Sequence, residues 1–442
     1  MTAATLHIGD VFDVMATMPD GTIDLVLTSP PFLALRSYLP ADHPDKGKEI
    51  GSEPTPAAFL DTMLALTAEW GRLLTPTGSI AVELGDTYAG SGGAGGDYTA
   101  GGLKEGQNAF VGSSSLNRTM NKNARVQSDD HSRSIRDLHG KVQGGGAGWP
   151  LDKSLAMIPQ LYAASLAYGR NLLTGEDSPA GRWRVRNYIC WARPNPPVGA
   201  LGDKWRPATS YVTVATRSRT RYFDLDAVRT PGTEPGAVKR RAKDHSAANP
   251  HTGWSSDNTE IHQNPAGAPP LDWVDDREAT WEPLIGMPTA PYPGAHYATF
   301  PSELPRRLIE CMAPAEVCTT CNEPRRRIVE ATSVKTQATN NPTDRGAVEG
   351  VNGAGSDPTF VHGRAVKHVD TLGWTDCGCG TGWRPGVILD PFAGSGTTLA
   401  VAHGHARTAI GIDLNDDNEH LIRDRVGGLF LTVVNHKTGA AA

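Results

Sequence analysis

The stretch Ile23-Asp24-Leu25-Val26-Leu27-Thr28-Ser29-Pro30-Pro31-Phe32 decides how this chain is read. Its first half is a strand-length run of mostly branched apolar residues; its second half stops that strand at two hydroxyl residues, two prolines and an aromatic ring. The prolines fix the backbone just past the strand tip, and neither can donate an N–H. Carbonyl oxygens are therefore held rigidly and can face a ligand, beside the Ser29 hydroxyl and the Phe32 ring. The tip offers acceptors for an amino group and a surface on which a flat ring can stack. On spacing alone, a strand closed by a Pro-Pro turn would look the same, and a second stretch separates the two readings.

That stretch is Val387-Ile388-Leu389-Asp390-Pro391-Phe392-Ala393-Gly394-Ser395-Gly396-Thr397-Thr398. An apolar strand running into a Gly-x-Gly turn and then a helix is how a parallel α/β sheet builds a nucleotide-type pocket, because glycine lets a ligand approach the backbone. The turn lacks the Gly-Lys-Ser/Thr ending of a phosphate-binding loop and the third glycine of a dinucleotide fingerprint. Some twenty residues on, the strand Thr408–Ile412 ends at Asp413, whose carboxylate can accept ribose hydroxyls. A pocket for adenosine without a phosphate cradle suits S-adenosylmethionine better than NAD or ATP.

Outward from these stretches the pattern alternates. Thr5 to Ile8 reads as a strand ending at Gly9-Asp10, and a helical segment follows. Pro56 to Leu74 carries apolar residues at helical spacing, with Pro76-Thr77-Gly78 as its stop, and Ser79 to Leu84 is a further strand. A helix is predicted over Lys153 to Ala167, and strands over Tyr188–Ala192, Tyr211–Ala215 and Arg221–Phe223, the last group closing the sheet edge as a hairpin. Strand and helix in alternation indicate a parallel sheet covered by helices.

The chain has 442 residues, 38% of them hydrophobic and 20% charged, enough for a sizeable core. Its 49 glycines and 33 prolines imply long loops or insertions. Tyr88 to Pro150 is dominated by Gly, Ser and Asn. It reads either as a disordered insertion or as a loop closing over a polymer, with Lys122, Arg125 and Arg133 turned to phosphates. Thr230 to Pro293 is irregular as well. The net charge of −6 speaks weakly against nucleic acid. The densest basic region, Arg217, Arg219, Arg221, Arg229, Lys239, Arg240, Arg241 and Lys243, speaks for a phosphate-contacting surface. No apolar run nears the roughly 18 residues of a membrane span and no secretory leader is visible, so no membrane is expected and the location is cytoplasmic.

In that compartment the six cysteines read as thiols or metal ligands. Cys318-Thr-Thr-Cys321 and Cys377-Gly-Cys379 form two close pairs of the kind that satisfies tetrahedral zinc, and the polar residues between them could not fold by burial alone. A structural zinc is expected there, with Arg325, Arg326 and Arg327 offered to a nucleic acid. Cys190 and Cys311 read as core.

The pairing of Thr28-Ser-Pro-Pro-Phe32 with Asp390-Pro-Phe-Ala-Gly-Ser-Gly396 resembles the amino-methylating, site-specific DNA methyltransferases, in the permuted order with the catalytic motif first. Asn187-Tyr-Ile-Cys-Trp-Ala-Arg-Pro-Asn195 and His296-Tyr-Ala-Thr-Phe-Pro-Ser-Glu-Leu304 fit the same family. The resemblance implies a Rossmann-like α/β fold with a seven-stranded, mostly parallel methyltransferase sheet, irregular insertions and, from the cysteines, a small zinc-binding insertion. It implies S-adenosylmethionine as cofactor and double-stranded DNA as partner, with the target base flipped out. A cognate restriction endonuclease leaves no mark in this sequence.

Carried over, the resemblance puts Asp390, Phe392, Gly394 and Gly396 around the cofactor, Asp413 on its ribose, Asp10 near its adenine, and Thr299 and Phe300 by its methionine end. Ser29, Pro30, Pro31 and Phe32 take the catalytic role, and Ser before Pro-Pro usually accompanies cytosine N4 rather than adenine N6. The implied organisation is a catalytic half over 1–87, a flexible Gly-rich insertion over 88–150 and the remaining sheet over 151–229. A target-recognition region over 230–293, a cofactor-side segment over 294–316, the zinc insertion over 317–383 and the cofactor half over 384–442 follow. The rivals are adenine-N6 methylation by the same chemistry and a catalytically silent DNA-binding protein.

Overall fold

A computed structural model describes residues 3–35, 38–40, 42–89, 147–151, 153–193, 205, 207–229, 270, 272–275, 301–335, 365–437 and 440–441. The chain forms two compact units: Met1–Phe223 with Leu271–Arg325 and Cys377–Ala442, and a smaller one of Asp224–Pro270 with Arg326–Asp376. The stretch expected as one insertion over 317–383 is divided, its cysteine-bearing ends belonging to the larger unit.

The larger unit opens with β1 (Ala4–Ile8), α1 (Val11–Ala16), β2 (Ile23–Thr28), α2 (Pro56–Leu73) and β3 (Leu74–Leu84). Next come α3 (Ile158–Tyr168), β4 (Arg184–Ala192), β5 (Thr209–Thr216), β6 (Trp273–Asp275), α4 (Glu303–Met312) and β7 (Glu316–Cys318). In the smaller unit, β8 (Arg327–Lys335) pairs antiparallel with β9 (Ala365–Trp374). The larger unit ends with β10 (Trp383–Pro385), β11 (Val387–Asp390), α5 (Thr397–Gly404), β12 (Thr408–Asp413), α6 (Glu419–Val426), β13 (Leu431–Asn435) and β14 (Ala440–Ala441).

Among the described residues the main sheet has ten strands, ordered β14-β13-β1-β12-β11-β2-β3-β5-β4-β6, where the resemblance implies seven. Seven are the run from β1 to β4; β13 and the two-residue β14 extend one edge, and the three-residue β6 covers the hairpin strand expected as the other. The strands from β13 to β3 are parallel. Only β14, and β5 against both β3 and β4, pair antiparallel within this sheet. All six residues of β2 are buried, as expected of a strand covered on both faces.

From the β11–β2 pair the chain winds outward in opposite directions, through α5 to β12 on one side and through α2 to β3 on the other. Such a reversal of strand order leaves a crevice at the carboxyl ends of the two strands.

Helix α2 starts where Thr55 accepts the Ala58 N–H, with Pro56 in the first turn, and it buries Phe59, Leu60, Met63, Leu64 and Trp70. Pro76-Thr77-Gly78 does not stop it. The helix ends at Leu73 and β3 begins at the next residue, so the proline lies within the strand. The β2–β3 register jumps from Ile23↔Leu74 to Leu25↔Ser79, and this irregularity absorbs the residue that cannot donate to the ladder. The helix expected from Lys153 starts only at Ile158, where Asp86 accepts the N–H groups of Met157 and Ile158. Arg221–Phe223 is not a strand.

At the amino end of β2 sits Asp24, 2% exposed. Its carboxylate accepts Arg384 Nη1 (2.6 Å), the Val387 N–H (2.8 Å) and the Thr75 hydroxyl (3.1 Å), tying the entry of β11 and the start of β3 to β2. A buried charge left without its partner is strongly destabilising. Arg384→Met is expected to lower the unfolding free energy by about 3 kcal/mol, and adding Asp24→Asn to restore most of it. Denaturant unfolding of the two variants checks this.

Candidate active site

The carboxyl ends of β1, β12, β11 and β2 bound one cleft. It brings together Asp10, Ser29, Pro31, Asp390, Phe392, Gly394 and Asp413 from the predicted set. Neither Pro30 nor Phe32 is among the lining residues: Pro30 is buried, and Phe32 lies on Gly85, where a Cβ would come within 2.6 Å of the ring. Gly396 stands behind the loop as the residue before α5, with Ile422 carbons 3.1 Å from where its Cβ would be. Thr299 and Phe300 lie outside the described residues.

On one wall, the Phe392-to-Gly396 loop is held by two carboxylates. Asp390, 3% exposed, accepts the Thr28 hydroxyl at 2.7 Å and the Phe392 N–H at 3.1 Å. Asp413 accepts the Gly394 N–H (2.8 Å), the Asn415 N–H (2.8 Å) and the Asn418 amide, the last at 3.1 Å to each oxygen. The four acceptor positions of a carboxylate are thus taken up by the chain itself. Asp413 fastens the glycine turn to the start of α6, and a ribose diol would have to take the place of the Asn418 amide. Gly394 and Gly396 have φ of 52° and 77°, the left-handed region that glycine enters freely. Asp10 caps α1, Oδ1 accepting the N–H groups of Phe12 and Asp13.

The opposite wall is Ser29, whose hydroxyl donates to Glu83. Glu83 is the single acid in β3 and is 5% exposed. Sequence reasoning missed it, although one carboxylate within the apolar run Ile80–Leu84 is a readable anomaly. Because β2 and β3 are parallel, with Thr28 opposite Val82, the residue after each strand's pair lies beside the other, and Ser29 meets Glu83. A third wall was also missed. Tyr38, Leu39, Lys48, Glu49 and Ile50 line the cleft, and an ion pair between Lys46 and Glu49 braces their loop.

The basic stretch stands elsewhere. β5 runs against β3, so residues after Thr216 emerge at the amino end of β3, where the Tyr222 N–H donates to Thr77 at 3.0 Å. Arg217, Arg219 and Arg221 are thus at the far end of the sheet from Ser29. Burial and the neighbouring Arg186 push the Arg221 guanidinium down to about 10, and it lies 4.2 Å over the Phe223 ring. Arg229 pairs with Asp226. Lys239 to Lys243 and the Gly-rich arginines lie outside the described residues.

Two arginines expected to face DNA are also engaged, Arg325 with Glu316 (2.7 Å) and Arg327 with Asp224 (2.7 Å). The sulfurs of Cys318, Cys321, Cys377 and Cys379 lie within 4.8 Å of one another, at the amino end of β11 and away from the cleft. Cys311 is buried as expected, while Cys190 is only half-buried.

Burial raises the carboxyls of Asp390 and Asp413 from 3.8 to about 6. A carboxyl raised on folding binds more protons in the native state, so its contribution to stability is full below the unfolded value and is lost as pH rises through the folded one. Between pH 4 and 6 the wild type should therefore lose stability relative to the Asp390→Asn, Asp413→Asn double variant. Unfolding curves across that window would show equal slopes if the two groups were not perturbed.

A family model described as DNA methylase matches residues 23–316 and 384–424. The type II methyltransferase M.SfiI of Streptomyces fimbriatus is 25% identical over 236 residues, 53% of this chain and 41% of that protein. M.Cfr9I of Citrobacter freundii is 25% identical over 309 residues, 70% of this chain and 72% of that protein. The alignment thus spans less than half of the first relative's length and nearly three quarters of the second's. PvuII DNA methyltransferase (cytosine-N4-specific) aligns over 96% of this chain and 86% of its own at 12% identity and a TM-score of 0.44. With the family model matching most of its length, the chain belongs to the amino-methylating N6/N4 DNA methylase family.

Proposed function

We propose that the chain methylates the exocyclic N4 amine of a cytosine flipped out of double-stranded DNA, with S-adenosylmethionine as methyl donor. The observation that carries this reading is the Ser29 hydroxyl, bonded to a buried carboxylate, on one side of a cleft whose other side is the Asp390-to-Gly394 turn. When bound, S-adenosylmethionine supplies an electrophilic methyl on a sulfonium. The left-handed glycines and the absence of a phosphate-binding lysine from this turn suit its adenosine end. Phe392, Gly394 and Gly396 would surround it, Asp10 would face its adenine, Asp413 its ribose, and Thr299 and Phe300 its methionine end.

An exocyclic amine is a poor nucleophile because its lone pair is conjugated into the ring. The Ser29 hydroxyl donates its hydrogen bond to Glu83, so its oxygen keeps lone pairs for one N–H of the base, and the Pro30 carbonyl would take the other. Held in this way, the nitrogen directs its lone pair at the methyl carbon, a gain from positioning and electrostatics that needs no covalent enzyme intermediate. Methyl transfer would leave the nitrogen cationic, with a proton to lose. Ser29 Oγ accepts that proton while its own passes to Glu83. Phe32, which lies next to the lining residue Pro31 and is packed on Gly85, would stack on the base.

We assign target recognition to residues 230–293 and a role at the DNA to the Gly-rich insertion over 88–150. β3, which precedes the Gly-rich insertion, and β6, which lies within 230–293, both have their carboxyl ends on the side of the sheet where the cleft opens. A structural zinc ion at the four cysteines completes the set of cofactors.

Mass spectrometry of nucleosides after incubation of duplex DNA with methyl-labelled S-adenosylmethionine should find the label in N4-methylcytosine. Label in N6-methyladenine would replace the base, and absence of label with cofactor bound would leave a silent binding protein. Ser29→Ala and Glu83→Gln should each lower turnover by roughly 10²-fold or more with cofactor affinity unchanged.

A further inference from the structure

We propose that Cys318, Cys321, Cys377 and Cys379 bind one zinc ion as four thiolates, and that the loaded site braces the buried amino end of β2 through Asn322 and Arg384. The inference deepens the structural-zinc reading and is independent of the methyl-transfer chemistry. Sulfurs about 2.3 Å from a tetrahedral zinc are about 3.8 Å apart. The four Sγ atoms here, all within 4.8 Å of one another, are drawn from positions 318 to 379 into nearly that arrangement.

The backbone around them is shaped for knuckles. Asn322, directly after Cys321, has φ of 56°, and Gly378 and Gly380, flanking Cys379, have φ of 76° and 65°. The Thr320 N–H points at the Cys318 sulfur at 3.4 Å, a bond that favours a thiolate. The two legs are joined by the three-residue β7–β10 ladder, with Cys318 opposite Trp383, and by hydrogen bonds from Thr319 to Gly382 and from Thr320 to Thr381, while Cys321 and Cys379 are exposed. Bringing four thiols together without a metal would leave their mutual repulsion on ionisation uncompensated, whereas zinc converts it into four bonds.

The site then leads into the sheet. Asn322 Oδ1 accepts Arg384 Nη2 at 3.3 Å, and Arg384 Nη1 reaches Asp24 Oδ2 at 2.6 Å. Asp24 also holds the Val387 N–H, the first residue of β11. Metal in the knuckle therefore fixes the residue that orients the guanidinium neutralising a buried charge, and β2 carries Ser29 at its other end. The cysteines lie at the opposite end of the strands from the cleft, so zinc contributes no ligand to the reaction and acts as a brace for the strand that supplies it.

The test uses the full chain purified with zinc present, its metal counted by elemental analysis and its thiols by titration. One zinc per chain is expected, with affinity at least tenfold weaker in Cys321→Ser and in Cys379→Ser, both of which should keep S-adenosylmethionine binding as evidence of folding. A metal-free chain, or disulfides among these four cysteines, would overturn the site. The brace is tested by removing and restoring zinc and following the melting temperature. The rise on zinc addition should shrink by more than half in the Asp24→Asn, Arg384→Met variant, which replaces the pair without stranding a charge. Normal zinc content with an undiminished rise would overturn the brace while leaving the site in place.

Discussion

The hydrogen bond from the Thr28 hydroxyl to Asp390, 2.7 Å long and fully buried, joins the last residue of β2 to the last residue of β11. Much of the site depends on it. β2 delivers Ser29, Pro30 and Phe32; β11 delivers the turn from Phe392 to Gly396. The two strands are neighbours because the chain winds away from them in opposite directions, yet their ladder itself is short, pairing only Ile388 with Leu25 and Leu389 with Val26. The side-chain bond continues the pairing to the strand tips, where a methyl donor and an acceptor amine would have to meet. The same Asp390 oxygen accepts the Phe392 N–H, so a single carboxylate sets both the spacing of the strands and the entry into the turn. Burial raises its pKa, against which the hydroxyls of Thr398 and Thr28 and the Phe392 N–H act, and this is the energetic cost of placing the acceptor there.

The two ends of β2 thereby divide the work. At the carboxyl end Thr28 and Ser29 meet Asp390 and Glu83, and at the amino end Asp24 gathers Arg384, Val387 and Thr75. A strand with buried polar partners at both ends can neither slide nor tilt against its neighbours without stranding a charge, and a rigid strand is what positional catalysis requires.

Much of this was legible in the sequence, for a physical reason. Strands covered on both faces read as unbroken apolar runs, and Ile23–Leu27, Val387–Leu389 and Ala409–Ile412 are such runs, each ended by the residues that enter the cleft. What escaped is what depends on pairing. Glu83 becomes meaningful only when β3 lies parallel to β2 in the observed register. The arginines after β5 looked like a phosphate surface until the direction of β5 put them at the far end of the sheet. Asp413 lines the cleft, and that its carboxylate is already occupied by Gly394, Asn415 and Asn418 follows from the fold of the turn. The edge strands β6 and β14 are too short to carry a pattern.

The most direct measurement is of the Thr28→Val variant, which keeps the shape of the side chain and removes the hydroxyl from Asp390. Calorimetry should find S-adenosylmethionine affinity within a fewfold of wild type, since the glycine turn retains Asp413, while single-turnover methyl transfer slows by roughly 10-fold to 100-fold as the strand tips lose their fixed spacing. Unchanged single-turnover rates in a folded Thr28→Val protein would contradict the account, for they would mean that the bond between the two strands does not set the geometry of the reaction.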